Sequence, residues 1–126
     1  MSILFVCLFI GALLPIVLSW VGGYFRVQQF GSIDNKHPRA QAAGLEGPGA
    51  RAMAAQKNAW EALAIFTAAV VVHTARGGSS ETVSILALVW LAARVLHAVF
   101  YLADLDALRS LVFLVATGCA VGVFFL

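Results

Sequence analysis

A small set of polar side chains interrupts an otherwise apolar chain at helical spacing, and together they have the chemistry of an anion site. Arg51, Asn58 and Glu61 fall within roughly 80° of one another on one helix face at about 100° per residue. Arg94, His97 and Tyr101, spaced i, i+3 and i+7, share a face within roughly 60° on a second helix, and Arg109 with Ser110 opens a third. An ionisable side chain near the centre of a membrane helix costs roughly 2.5 to 3.5 kcal/mol on insertion scales, so such stripes should face protein, water or a ligand. Arg51, Lys57, Arg94 and Arg109 meet only Glu61 in the stripes, Asp104 and Asp106 at a turn, and Glu46 in a loop. An excess of guanidinium in a partly dry layer points to an anionic ligand. Taken singly, each residue has a plainer use: Glu61 could neutralise Arg94 or Arg51, His97 and Tyr101 could anchor an interface, and Arg109 could snorkel. The set, delivered to one layer, reads as a site.

The elements that must deliver it follow from composition. The chain has 126 residues, 62% hydrophobic and 11% charged, with a mean hydropathy of +0.94, which is the balance of an integral membrane protein. At roughly 20 residues per span, the length suits one domain, residues 1–126, folded as an all-α up-down bundle of four transmembrane helices over about 3–26, 50–75, 81–103 and 107–126. The first run has no basic n-region and is too apolar for too long to be a cleaved signal peptide, so it is expected to be retained. Pro15 predicts a modest kink within it, and Gly22 and Gly23 allow a neighbouring backbone to approach. Residues 28–50 form the one long connection, ending in a Gly47-Pro48-Gly49 turn. Arg76-Gly77-Gly78-Ser79-Ser80 and Asp104-Leu105-Asp106 make short turns between antiparallel neighbours.

Arg26, Lys36, Arg39, Arg51, Lys57, Arg94 and Arg109 lie toward one membrane face and only Arg76 toward the other. The positive-inside rule makes the long loop cytoplasmic, with both termini on the opposite side. A net charge of +2 gives no reason to expect nucleic acid as a partner. Cys7 and Cys119 lie inside helices and read as buried free thiols, and no metal-ligand spacing is present, so no metal is expected. His73, near the outer end of the second helix, reads as an interfacial or intrahelical hydrogen-bonding residue, and Trp20, Trp60 and Trp90 as packing or belt residues.

The second helix's Arg51, Asn58 and Glu61, and the run ARVLHAVFYLADLDALRS, resemble the MAPEG family, the membrane-associated proteins in eicosanoid and glutathione metabolism. HPRAQ in the loop and RAxxxxxNxxE after it look like the small bacterial members, which implies a bacterial inner (plasma) membrane. The resemblance implies a homotrimer that holds glutathione between subunits near the cytoplasmic face. By resemblance Arg26, Arg51, Asn58, Glu61, Arg94, His97, Tyr101 and Ser110 bind glutathione, and Arg109 is the catalytic arginine that stabilises its thiolate. A lipophilic electrophile or hydroperoxide is then expected to approach through the bilayer between the first and fourth helices.

The sequence departs from the prostaglandin-synthase members of that family at three points. Lys57 stands for an arginine, Phe113 for a helix-four tyrosine, and the turn before Arg109 is one residue shorter. The reading is therefore a membrane-bound glutathione transferase or peroxidase acting on a lipophilic small molecule. Two rivals stay open: a non-catalytic module that binds a membrane lipid, and an accessory subunit of a larger membrane complex, for which Gly118 and Gly122 at GxxxG spacing are the weak signal.

Overall fold

In lipid a backbone must satisfy its own hydrogen bonds, so long apolar runs become helices. The computed structural model describes residues 1–78 and 80–126. It contains α1 (Ile3–Phe30), α2 (Pro38–Ala43), α3 (Gly47–Ala75), α4 (Glu81–Leu102) and α5 (Asp106–Phe125). All but the short α2 are long and apolar enough to cross a membrane. The chain is an all-helical integral membrane protein.

The first helix runs past residue 26 to Phe30, because Arg26 and the glutamines after it mark where lipid ends, which is not where the helix must end. It stops at Gly31, whose φ of 85° is the left-handed conformation that glycine adopts without strain, and whose N–H bonds to the carbonyl of Val27. The Gly47-Pro48-Gly49 segment, expected as a turn, is the first turn of α3, where proline's missing N–H costs nothing. The long connection is held by side-chain amides. Gln29 donates to the Gly44 carbonyl at 2.8 Å and accepts from the Glu46 N–H at 2.9 Å. Gln41 donates to the Ser32 carbonyl at 2.8 Å and accepts from the Asp34 N–H at 3.0 Å. These bonds bring the ends of α1 and α3 together.

The short connections use left-handed caps. At the end of α3, Gly77 (φ 72°) is followed by Gly78, whose N–H reaches back to the carbonyl of His73 at 3.1 Å. Ser79, placed in that turn by sequence, lies outside the described residues. At the end of α4 the same geometry falls on Asp104 (φ 60°), with the Leu105 N–H bonded to the Phe100 carbonyl at 2.9 Å. Aspartate tolerates this conformation better than most residues.

Helices α1 and α3 pack along one another, as do α4 and α5, and α3 also touches both α4 and α5. Among the described residues α1 and α5 do not pack together. The larger apolar core centres on Trp90, 2% exposed, whose ring stacks on Phe66 with centroids 3.8 Å apart and planes 9° apart. Cys7 and Cys119 are free and buried in that core. Trp20 and Trp60 instead face outward with Phe9, part of the apolar exterior that lipid solvates.

The two helix-interface glycines of α1 differ in what they meet. A Cβ at Gly11 would lie 2.6 Å from the Trp90 ring, which Phe66 locks in place, whereas one at Gly22 would meet the terminal methyl of Met53. Gly11→Ala should therefore destabilise the bundle by roughly 1–3 kcal/mol, and Gly22→Ala by clearly less. Unfolding in a detergent-denaturant titration measures both; equal losses would show that the ring is free to move.

Candidate functional site

Small residues let the site assemble. Ala52, Ala55 and Ala59 on α3 and Ala93 and Ala98 on α4 are buried, and Ala55, Ala59 and Ala98 form a second apolar cluster with Leu18. With these methyls at the contact, a short asparagine spans from α3 to α4: Arg94 Nη2 donates to Asn58 Oδ1 at 2.7 Å. Arg94 Nη2 also lies 3.5 Å from His97 Nδ1, at the limit of hydrogen bonding. Arg94 and His97 are 2% and 3% exposed.

Arg94 has no carboxylate within ion-pair distance. Among the described residues the one acid–base contact is His37 with Asp34, in the exposed loop. Glu61, for which the plainer reading is a counter-ion to Arg94 or Arg51, pairs with neither, and buried Nη1 of Arg94 has no hydrogen-bond partner among the described residues. A guanidinium removed from water with one donor unmet is a costly arrangement that an anion would relieve.

Beside it opens a cavity of about 360 Å³ lined by Asn58, His97, Tyr101, Arg109, Ser110, Phe113 and Leu114. Arg109 comes from the first turns of α5, which the Asp104 cap turns back beside α4. Its guanidinium carbon lies 4.4 Å from the centre of the Tyr101 ring, a cation–π contact that sets the arginine over the cavity. Tyr101 and His97 meet edge to face with ring centroids 5.6 Å apart, and Phe113 approaches the same imidazole at 6.3 Å. A second hollow of about 140 Å³ shares Asn58 and Phe113 and adds Glu61, Arg94, Ile65 and Thr117. The two adjoin at Asn58 and Phe113 and together make a cleft between α3 and α5 with α4 behind it, polar around Arg109 and mainly apolar around Ile65 and Ala120.

Of the residues read from sequence, the cleft gathers Asn58, Glu61, Arg94, His97, Tyr101, Arg109 and Ser110. It does not include Arg51, whose Nε donates to the Leu102 carbonyl at 3.3 Å and so ties the start of α3 to the end of α4. Nor does it include Arg26, which lines a separate groove between α1 and the loop after it with Trp20, Tyr24 and Ile33 and whose buried Nε is unpartnered among the described residues. Leu114, Ile65 and Thr117 went unread because an apolar or hydroxyl residue on a membrane helix carries no signal of its own. The expected substrate route between the first and fourth helices has no counterpart inside one chain, since α1 and α5 do not meet. Among the described residues no group of His, Cys, Asp and Glu side chains could hold a metal.

The MAPEG family model matches residues 3–126. The chain belongs to the MAPEG family, whose members work at the membrane in glutathione and eicosanoid metabolism. No curated protein and no solved structure matches it significantly.

The Arg94–Asn58 pair predicts an asymmetric double-mutant cycle. Asn58→Leu strands a buried charge and should cost roughly 3 kcal/mol or more of stability. Adding Arg94→Met to it should recover most of that loss, because the pair is then replaced by apolar contacts. Additive losses in the thermal unfolding of the two single variants and the double would show that the pair is uncoupled.

Proposed function

We propose that the protein is a membrane-bound glutathione-dependent transferase or peroxidase acting on lipophilic electrophiles or hydroperoxides, and that it works as a homotrimer. The observation that carries this reading is Arg94, buried and without a carboxylate, beside a cleft that also holds Arg109. Glutathione brings carboxylates and a thiol, the groups such a cleft is short of. In this reading Asn58, Glu61, Arg94, His97, Tyr101 and Ser110 bind and orient the tripeptide, and Arg109 faces its sulfur.

The chemistry is thiolate stabilisation. A free thiol with a pKa of about 8.5 is only a few per cent thiolate at neutral pH, and the thiolate is the nucleophile. Lowering that pKa by about two units, worth roughly 2.7 kcal/mol, makes thiolate the main form. A guanidinium in a partly dry cleft can supply this, and the thiol proton leaves to water. Transfer forms a carbon–sulfur bond as the leaving group departs with its electron pair. Hydroperoxide reduction breaks the O–O bond on the attacking sulfur, giving an alcohol and a sulfenic acid, which a second glutathione converts to disulfide and water.

Trimer formation is supported by two incomplete halves. Arg26 has an unpartnered buried Nε on α1, and the α3–α5 cleft lacks a wall that α1 of the same chain could give. If α1 of a neighbouring subunit covers the cleft, Arg26 joins the glutathione site and a hydrophobic substrate enters beside α5. Arg51 then acts on the site through the α4 end it holds. The proposed setting is a bacterial inner membrane with the long loop and the cleft on the cytoplasmic side.

Phe113 favours a second reading. It lines the cavity where a phenol would otherwise offer the thiol a donor, and a non-catalytic module for lipid or partner protein would have no need of one. Glutathione binding separates the two. With purified protein in detergent, thiolate absorbance should appear at neutral pH on adding glutathione and titrate about two units below the free thiol. Arg109→Ala should return the midpoint toward the free value, with a loss of conjugating activity of about 10²-fold. Absence of binding at millimolar glutathione would favour the non-catalytic module.

A further inference from the structure

Two of the side chains on the larger cavity are ambivalent by nature. An amide carries an accepting oxygen and a donating NH2 group, and a neutral imidazole has one nitrogen that donates and one that accepts. Either could offer a ligand a donor or an acceptor. Arg94 removes the choice, because a guanidinium has protons to give and no lone pair to share. Its Nη2 donates to Asn58 Oδ1 at 2.7 Å, which occupies the amide oxygen and leaves over the Nδ2 hydrogens. The same Nη2 stands 3.5 Å from His97 Nδ1. A proton on Nδ1 would set two donors against each other, so Nδ1 carries the lone pair and the N–H of the ring is at Nε2.

The leftover nitrogens are open to a ligand. Asn58 Nδ2 and His97 Nε2 make no hydrogen bond among the described residues, yet neither is sealed: both keep open surface, on a cleft that both residues line. The arginine's own terminal nitrogens are spent or enclosed, Nη2 on these two neighbours and Nη1 without open surface. Arg94 is not on the lining of the larger cavity, so its hold on a ligand there runs through Asn58 and His97. The other polar side chains on that lining are Tyr101, Arg109 and Ser110, with no carboxylate among them. Every polar side chain of the cavity thus has a proton to donate, and the matching ligand groups are acceptors, such as the carboxylate and amide oxygens of a peptide.

We infer that Arg94 is a positioning residue that fixes the amide of Asn58 and the tautomer of His97, so that both present donors to a ligand's acceptor oxygens, His97 through Nε2–H. The same geometry removes His97 as a base for the thiol, since its lone pair is turned to Arg94. The inference rests on the glutathione reading for the ligand's identity, but not for the state of the ring.

The ring is therefore measured first and without ligand, by nitrogen-15 NMR of the histidine-labelled full-length protein in detergent, with His97 assigned by the signal missing from His97→Gln. The expected state at neutral pH is a protonated Nε2 and a bare Nδ1. A proton on Nδ1 would overturn the inference. Arg94→Met should release the ring to a mixture of tautomers, and a ring unchanged in that variant would show that the arginine does not set it. Glutathione binding then tests the donors. His97→Leu should weaken it by about 10-fold or more, and His97→Gln, which puts an NH2 group where Nε2 lies but has no basic nitrogen, should recover most of that loss. Equal impairment of the two would sink the donor role. Asn58→Asp gives Arg94 a counter-ion and removes the Nδ2 donor, so thermal stability should hold or rise while glutathione affinity falls by about 10-fold or more. Affinity retained in Asn58→Asp would also overturn the assignment. A parent protein that binds no glutathione refutes the glutathione reading alone, and the ring measurement still decides this inference.

Discussion

A guanidinium held inside an apolar bundle without a counter-charge is the constraint on which the rest of this structure depends. Arg94 is among the largest fully buried side chains of the chain, and a neutral asparagine is its one short contact. Burying such a group costs several kcal/mol, which an apolar residue of similar size would avoid. The helices around it follow from that fact. α3 and α4 carry alanines where they face each other, so that Asn58 is close enough to reach the charge. His97 and Tyr101 then continue the polar face one and two turns along α4, and α5 is turned back by the Asp104 cap so that a second arginine overlooks the same space.

The bundle divides its work along its length. The core around Trp90 and Phe66 is tightly stacked, with a glycine of α1 seated against the indole. The half around Arg94 has smaller residues and open volume. Rigid packing at one end lets the other end hold polar groups in fixed positions without filling the space between them, which is what a ligand cleft needs.

Much of this was legible in the sequence, and the reasons are physical. Charges are so disfavoured in lipid that Arg94, His97 and Asn58 stand out against their neighbours, and a helical period of 3.6 residues fixes which of them share a face. The start of α3 and the end of α1 were misplaced for the same reason in reverse: polarity reports the membrane boundary, while Gly31 and the Gly47-Pro48 start obey backbone conformation. Arg51 and Arg26 show the other limit. A stripe gives the angular position of a residue but not its reach, and the Arg51 side chain turns to the Leu102 carbonyl instead of the cleft. The polarity of Arg26 was visible, yet its place on α1, away from the cleft, depends on which helices touch.

Buried side-chain nitrogens without partners tie these points together. Among the described residues they are found on Arg26, His73 and Arg94, one on each of the first three membrane helices. A folded chain normally satisfies such atoms, because each one left over costs roughly 1–3 kcal/mol. Here each of the three residues that carry them lines a cavity or groove. His73 is the most telling of them. In the sequence it stands apart from the polar stripes and reads as an interfacial or intrahelical hydrogen-bonding residue, whereas its ring is enclosed under Gly78 and its Nδ1 has no partner among the described residues. The ring is packed under Gly78 at the end of α3, and it keeps there an unmet nitrogen that a leucine of similar bulk would spare the fold.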